Sequence, residues 1–397
     1  MSFSKVKTLA AVLALTTAAS AQFNSPSNAR MAGMAYAPMS DITDVYNYPS
    51  RMMEYRNQVQ ATFNEGAVIG IKSLGEAFAV GVLANQGLMT EAAYRGGQET
   101  FGVVATGGDV PYSRFPHILL GLELGALSIG ADIFFEHALA SRRLETPAGN
   151  AETSSIIMNP GARLSAGLEL GDLSALLKYG ISLPTYQSKV QGLGGNTVTL
   201  SPDGAMYMEM GAEVGMPLIG FDWTLGGEYT FANYKILDTD PTTWHSLITF
   251  YLGAEFNFLE TVAAAAGYSF TREAATLVTE VSTSSATNTL KATVGRHIHS
   301  LTAGMENVWD EAYFFDSVTL RGGLGYDIAV DFTKSSSETP KGSDITTMAG
   351  NHRPIRAVMG VGVTKSFLTL DIALNLGSWG AAFTGPPATE VTGTIKF

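Results

Sequence analysis

The sequence of 397 residues lacks several features that mark common classes of exported and membrane proteins. It contains no cysteine, so disulfide bonds do not stabilise it even in an oxidising compartment. After residue 21 it has no apolar run of the roughly eighteen residues that a transmembrane helix needs, which excludes such a helix. No Pro/Ser-rich linker and no change of composition divides the chain, so we expect one large domain.

The chain is also poor in charge, and the charge that it has is mostly acidic. Only 15% of its residues are charged, and the formal net charge is -12. A nucleic-acid partner requires clustered Lys and Arg to neutralise its phosphates, so this balance argues against one. Hydrophobic residues make up 46% of the chain without forming long runs, which suits alternation with polar residues.

The N terminus has the pattern of a secretory signal peptide. Lys5 and Lys7 precede an apolar run at residues 9–19, and this run leads into the small-x-small cleavage site Ala19-Ser20-Ala21. We therefore expect residues 1–21 to be removed and the chain to be exported.

One stretch, residues 205–231, shows most clearly a pattern that recurs along the chain. Its first half alternates apolar positions with polar or small ones; the apolar set is Met206, Met208, Met210, Ala212, Val214 and Met216, and the other set is Tyr207, Glu209, Gly211, Glu213 and Gly215. After a turn at residues 217–220 the alternation resumes, with Phe221, Trp223, Leu225, Gly227, Tyr229 and Phe231 on one face and Asp222, Thr224, Gly226, Glu228 and Thr230 on the other. A period of two predicts strands with one apolar face. Their length matches the thickness of a bilayer.

The polar face of these strands is rich in glycine and carboxylate, whereas a soluble sheet usually shows Lys, Arg and Thr to water. A strand with lipid on one side and a watery lumen on the other needs this division, and only a closed barrel leaves no strand backbone unpaired in a bilayer. The predicted fold class is therefore all-β: a single transmembrane antiparallel β-barrel formed by residues 56–397.

Short and long connections alternate along the predicted strands, which is typical of bacterial outer-membrane barrels. We expect the longer loops at residues 85–114, 142–155, 187–203, 273–289 and 333–351. The strand count is about sixteen, or fourteen if one early hairpin does not enter the wall.

The last predicted strand ends the chain at an aromatic residue. Val391, Gly393, Ile395 and Phe397 share one face of it. A terminal Phe on such a strand resembles the signal that the outer-membrane assembly machinery reads. With the signal peptide, it predicts the outer membrane of a Gram-negative bacterium as the location. The expected partners are outer-membrane lipid, lipopolysaccharide and the barrel-assembly machinery.

Residues 22–55, called the N-terminal arm below, do not resemble the strands. They contain Pro26, Pro38 and Pro49 and show no sustained alternation. We expect the arm to precede the barrel wall, either in the periplasm or folded into the lumen.

Residues 28–63 read NARMAGMAYAPMSDITDVYNYPSRMMEYRNQVQATF. This segment resembles the N-terminal signature of the FadL-type superfamily of outer-membrane barrels, which includes the PorV-like proteins of type IX secretion. In that signature a Gly-containing ARxxGMGG element leads to an acidic residue and an NPA element before the first strand. The matching positions, which we take as plug candidates, are Arg30, Gly33, Met34, Asp41, Asn47 and Pro49. Tyr48 is inserted into the last element, and Ser50 replaces its Ala.

Two classes of function follow from the resemblance. In the fatty-acid transporters it implies an N-terminal plug and transport of small hydrophobic molecules; in the secretion branch it implies a structural barrel that docks protein partners of a secretion system. A general porin for polar solutes is a further alternative. We expect no enzyme: the sequence has no cofactor motif and no metal spacing, and His297 and His299 on one face of a strand are weak evidence for catalysis.

The inner face supplies the candidate site residues. The lumen-lining candidates are Glu123, Asp132, Arg163, Glu169, Lys178, Glu209, Glu213, Asp222, Glu228, Glu255, Arg321, Asp327 and Asp371. We also place Arg272 and Lys365 on this face. Opposite charges on adjacent strands can pair across the wall, and selectivity for a polar or cationic solute is the alternative role. The glycines of the inner face, such as Gly121, Gly130, Gly180, Gly211 and Gly226, either admit another segment close to the wall or help the strands to curve.

Overall fold

A computed structural model describes most of the chain after residue 40. The described residues are 30, 34, 41–63, 67–84, 112–114, 117–146, 149–183, 185–191, 197–200, 206–234, 242–282, 287–312, 314–337, 345–352, 355–379 and 389–397. The predicted signal peptide and Gly33 lie outside them.

Two short helical pieces precede the strands: helix α1 at Asp44–Asn47 and a 3-10 turn at Pro49–Met53. No helix in the described part of the chain is long and apolar enough to cross a membrane. The strand segments are β1 (Gln58–Thr62), β2 (Ala67–Ser73), β3 (Phe78–Ala84), β4 (Tyr112–Arg114), β5 (His117–Leu124), β6 (Leu127–Thr146), β7 (Gly149–Leu170), β8 (Leu173–Ser182), β9 (Thr185–Gln191), β10 (Thr197–Leu200), β11 (Met206–Leu218), β12 (Phe221–Tyr234), β13 (Thr242–Leu259), β14 (Val262–Ser282), β15 (Thr287–Asp310), β16 (Ser317–Ser337), β17 (Ile345–His352), β18 (Ile355–Lys365), β19 (Leu368–Trp379) and β20 (Thr389–Lys396).

The strands form one closed antiparallel sheet. β1 pairs with β2 on one side and with β20 on the other, so the first and last strands close the ring. Four wall strands each consist of two consecutive segments, namely β4 with β5, β8 with β9, β10 with β11 and β17 with β18. The wall therefore has sixteen strands, which confirms the higher of the two predicted counts.

Tight turns gather at one end of the barrel, called the short-turn end below. They include Gly125–Ala126, Gly171–Asp172, Ile219–Gly220, Glu260–Thr261 and Ser366–Phe367. Gly125 and Gly171 have φ of 66° and 65°, a left-handed conformation that glycine adopts without steric cost.

The two faces of the wall differ as the alternation predicts. Leu177 and Leu225 on the outer face are 62% and 55% exposed, whereas the charged Lys178 and Glu209 on the inner face are each 6% exposed. Buried charge and exposed leucine invert the arrangement of a soluble protein.

At the opposite end the hairpins extend far beyond the predicted strand ends, and several predicted loops are wrong. β6 runs to Thr146, with β7 resuming at Gly149, where we predicted a loop at 142–155. Strand also occupies most of 273–289 and parts of 187–203 and 333–351. The backbone ladder continues there: Thr276 pairs in register with Thr293, and their side-chain hydroxyls lie 2.9 Å apart. The composition of these stretches is polar and Ser/Thr-rich, so the apolar period disappears while the pairing persists.

Candidate functional site

The described part of the arm lies against the inner face of the barrel on several sides. Its apolar residues form a core with the inward side chains of β2, β3 and β5. The arm contributes Ile42, Val45, Tyr46, Met52 and Met53, and the wall contributes Ile69, Ile71, Ala79, Leu83 and Leu119. Met34 packs against Ala265 of β14. Burial of this kind stabilises by about 1.5–3 kcal/mol for each large side chain.

Ionic contacts attach the 3-10 turn of the arm to β11. The Arg51 guanidinium lies 2.6 Å from Asp44 Oδ2 in the arm and 3.1 Å from Glu213 Oε1 in the wall. Tyr251 of β13 donates its hydroxyl to the other oxygen of Glu213 at 2.6 Å. Burial raises the pKa of the Asp44 carboxyl to about 6, and the nearby Arg51 opposes that rise.

A second ionic chain attaches the start of the arm to β15. Arg30 contacts Asp41 of the arm at 3.4 Å and Glu306 of β15 at 2.9 Å. Arg321 of β16 then joins Glu306 at 3.1 Å to Asp371 of β19 at 2.6 Å. The arm is thus held to widely separated parts of the wall.

Backbone contacts fix the middle of the arm close to β6 and β7. Ser50 donates its N–H to Ser165 Oγ at 2.7 Å, and Arg163 donates to the carbonyl oxygen of Tyr46. A Cβ on Gly130 would lie 2.1 Å from the carbonyl carbon of Pro49. No residue with a side chain fits at this point of β6 while the arm keeps its position.

Charged side chains of the inner wall pair extensively with each other. His117 Nδ1 is 3.1 Å from Asp132, and Asp132 is 3.8 Å from Arg163, which also pairs with Glu209. Lys178 pairs with Glu228 at 2.8 Å and lies over the Tyr48 ring of the arm at 5.4 Å. Each of these charges is compensated by a partner, as burial requires.

Several of these pairs join strands that are not neighbours, because a glycine lies between them. Arg163 on β7 and Glu209 on β11 both pair in register with Gly180 of β8. A Cβ on Gly180 would lie 2.8 Å from Glu209 Cγ. Lys178 reaches Glu228 across Gly211 in the same way, and a Cβ there would lie 2.7 Å from Lys178 Cε.

The glycines of the inner face therefore make room for other groups. Gly130 admits the arm backbone, and Gly121 admits Met52, whose Cγ would lie 2.4 Å from a Cβ at that position. Gly226 admits the Tyr251 ring on its way to Glu213. The sequence left two roles open for these glycines: to admit another group close to the wall, or to help the strands curve. At these positions the glycine admits another group.

The remaining predicted residues lie elsewhere on the inner wall. Asp327 pairs with Arg356 at 3.4 Å. Asp222 and Glu255 stand opposite each other on β12 and β13 near the short-turn end. Glu123 and Glu169 line a cavity of about 280 Å³ at that end together with arm residues such as Glu54.

Two predicted plug residues, Asn47 and Pro49, lie at the junction of the two helical pieces. Asn47 is exposed, and Pro49 is buried against Gly130. Groups of His, Cys, Asp and Glu able to hold a metal are absent from the described residues.

Sequence reasoning missed Glu306, Arg51, His117 and Tyr251, although each contributes to the networks above. The polar face of β15 could have pointed to Glu306, since Glu306 follows the outward-facing Met305 and shares its own face with Thr302 and Gly304. Arg51 could not be identified from the sequence, because the arm lacks the alternation that would assign its side chains to one face.

The placement of Arg272 and Lys365 in the lumen is wrong. Arg272 pairs in register with His297, and Phe270 pairs with His299, on the outer side of the wall with Leu301 and Met305. Lys365 is exposed in the turn end of β18, where Nζ contacts Asp316 at 2.8 Å. In both cases the residue continues the apolar positions of its strand, with Phe270 before Arg272 and Val363 before Lys365, so the alternation itself places it on the outer face.

Neither a protein-family model nor a curated protein sequence matches the chain. Several solved structures are similar in fold at low identity. CdiB from Escherichia coli has a TM-score of 0.41 and 13% identity over 86% of this chain and 62% of its own, so this chain spans less than two thirds of it. The toluene transporter TodX of Pseudomonas putida has a TM-score of 0.42 and 9% identity over 95% of this chain and 98% of its own. OmpT, an outer membrane protein of Vibrio cholerae, has a TM-score of 0.33 and 8% identity over 86% of this chain and 94% of its own. Similarity at this level carries no information about substrate or partner.

Proposed function

We propose that the protein is an outer-membrane β-barrel of a Gram-negative bacterium, exported by its signal peptide, whose lumen is obstructed by the N-terminal arm. We further propose that it passes small hydrophobic molecules across that membrane.

Support for the membrane comes from the outer face of the barrel. Exposed apolar side chains recur around the wall, for example Ile133, Leu177, Leu225, Leu301 and Leu324. A soluble monomer rarely exposes a contiguous apolar surface larger than a few hundred Å². Lipid is the environment that such a band requires.

The observation that carries the functional proposal is the position of residues 41–55. Sixteen strands enclose a lumen wide enough for a water-filled channel. Here the arm contacts β3, β5, β6 and β7 and forms ion pairs with β11, while Arg30 pairs with β15. In an open porin we would expect a free channel rather than a segment that contacts the inner wall on so many sides.

Support for a hydrophobic solute comes from the inner face of β2, β3 and β5. Ile69, Ile71, Leu83 and Leu119 point inward there, each at most 1% exposed. The rest of the inner wall is dominated by paired charges, which bind water and ions better than hydrocarbon. A small apolar molecule would find its favourable surface at these strands once the arm is displaced from them.

Single-channel conductance in planar bilayers tests the obstruction. Deleting residues 25–50 should raise the conductance severalfold, because the contacts made by the arm are lost while the wall keeps its ladder. An intact chain that already conducts like the deletion variant would contradict the proposal. Heat-modifiable gel mobility should confirm that both proteins are folded.

Liposome uptake tests the solute class. With the intact protein, an aromatic hydrocarbon should enter faster than a sugar of similar size, relative to protein-free vesicles. Faster entry of the sugar would favour a porin instead.

A docking barrel is the second candidate, and one observation favours it. β14, β15 and β16 have 21, 24 and 21 residues, about twice the roughly 9–11 that cross a bilayer. Their outer halves form a raised hairpin surface to which a protein could bind. Shortening this hairpin should leave uptake intact if the surface serves only docking.

A further inference from the structure

A group of aromatic and basic side chains lies on the outer face of β14–β16, and none of the functions proposed above uses it. We call it the outer patch; it consists of Tyr268, Phe270, Arg272, His297, His299 and Phe332. Register places these residues on one face, since Phe270 pairs with His299 and Arg272 with His297. The exposed Leu301 and Met305 continue that face toward the short-turn end.

The height of the outer patch follows from the strand geometry. Arg272 lies ten residues beyond Val262, where β14 leaves the short turn. At about 3.3 Å per residue and a tilt of about 40°, this separation corresponds to roughly 25 Å along the barrel axis. That is about the height of the apolar band of such barrels, so Arg272 lies where hydrocarbon gives way to headgroups.

Aromatic rings hold the basic groups of the patch in position. The Arg272 guanidinium lies 5.7 Å from the Phe332 ring centre, and the His297 ring lies 4.8 Å from the same centre. Tyr268 Oη is 2.8 Å from His299 Nδ1. The cation–π contact orients Arg272 without consuming its N–H donors.

The charge of the patch is basic in a chain whose net charge is -12. Its closest carboxylates along the chain, Glu273 and Asp331, fall on the other face of their strands. Asp331 pairs there with Arg296 at 2.5 Å. Lys334, two residues beyond Phe332, is exposed on the same face as the patch. A ligand that meets this surface from the bilayer should therefore be an anion carried by a lipid.

The short turns of such barrels face the periplasm, so the outer patch lies at the level of the outer leaflet. We propose that it binds the phosphate of a phosphorylated glycolipid of that leaflet, with Arg272 as the principal ligand and His297 beside it. The guanidinium suits this role because its fork of donors matches the geometry of a phosphate. The inference rests on the proposed membrane location, but not on the arm or on transport.

The test compares two arginines that lie on opposite faces of the wall at the same height. Arg272→Gln removes the charge of the outer patch, whereas Arg296→Gln removes a charge one register position away on the inner face. The probe is purified lipopolysaccharide, native or enzymatically dephosphorylated, titrated against the folded full-length chain in detergent. Heat-modifiable mobility verifies the folding of each variant.

We expect Arg272→Gln to bind native lipopolysaccharide about tenfold more weakly and Arg296→Gln to bind it like the unaltered protein. Dephosphorylation should weaken binding by the unaltered protein by a similar factor, a comparison that needs no variant. Millimolar inorganic phosphate should compete only weakly, because it lacks the acyl chains that hold the glycolipid against the apolar outer face.

Equal binding of native and dephosphorylated lipid by the unaltered protein would overturn the proposal. So would equal losses in the two variants, which would indicate a general charge effect. A barrel that inserts into vesicles but lacks this phosphate preference refutes the lipid site alone, whereas a chain that remains soluble and does not insert refutes the proposed location.

Discussion

The wall of the barrel has two contrasting regions, one beside residues 41–55 of the arm and one formed by β14–β16. In β2, β3 and β5 the inward side chains, such as Ile71, Leu83 and Leu119, are apolar and fully buried against the arm. In β14–β16 most inward side chains are Ser, Thr, Gly, Ala and charged residues such as Glu306, and the arm reaches them through Arg30 and Met34. The same architecture thus serves as half of a protein core on one side and as a solvated or ion-paired surface on the other.

This contrast shows that the hydrophobic period of a strand depends on the surroundings of its two faces. Alternation marks a strand whose two faces meet different media, which is true of β11 and β12. It weakens in β2, which reads AVIGIKS, because lipid lies on one side and the arm core on the other. It also disappears in the outer halves of β14 and β15, where apolar and polar residues are mixed on each face.

The largest expected effect is on the arm side of the wall. Leu119→Ala should lower the free energy of unfolding by about 2–5 kcal/mol, because it leaves a cavity between β5 and the arm. Leu324→Ala on the outer face of β16 should cost about 1 kcal/mol or less, since Leu324 is 56% exposed and lipid can fill the space. Denaturant titrations of the refolded proteins measure both. Equal costs would contradict the distinction between the two regions.

The second-largest effect compares a lipid-facing position with a lumen-facing position in the same strand, β12. Leu225→Arg should destabilise insertion by about 2–4 kcal/mol, because it places a charge in hydrocarbon near mid-bilayer depth. Thr224→Arg should be tolerated, since the neighbouring side chain faces the interior. Refolding into lipid vesicles gives both values. Similar losses at the two positions would refute the assignment of the two faces.

The third and smallest effect concerns glycine. Gly130→Ala should shift the arm at a cost of about 1–3 kcal/mol, because its Cβ would overlap Pro49. Gly322→Ala on β16 is the matched control, since a Cβ there meets nothing within 4 Å. Limited proteolysis should cut the arm of the first variant faster. An equal rate of cleavage in both would mean that Gly130 does not determine the position of the arm.

The sequence predicted the barrel and its sixteen strands because lipid imposes a period of two wherever it meets the wall. It did not predict the hairpin extensions, since backbone pairing in water needs no apolar period. It also missed Arg51, whose role depends on how the arm lies rather than on strand phase, and Glu306, which the polar face of β15 could have indicated. The strand-skipping pair of Arg163 and Glu209 likewise depends on Gly180, a contact that appears only once three strands are in register.

The central claim is that the arm lies inside the barrel, and the absence of cysteine allows a direct test of it. Ser50 donates its N–H to Ser165 Oγ at 2.7 Å, whereas Leu164, one residue away, is 56% exposed on the outer face. In the folded protein, Ser50→Cys with Ser165→Cys should form a disulfide under mild oxidation, seen as a redox-dependent shift in gel mobility. The pair Ser50→Cys with Leu164→Cys should not. Failure of the first pair to cross-link, or equal cross-linking of both pairs, would contradict the account.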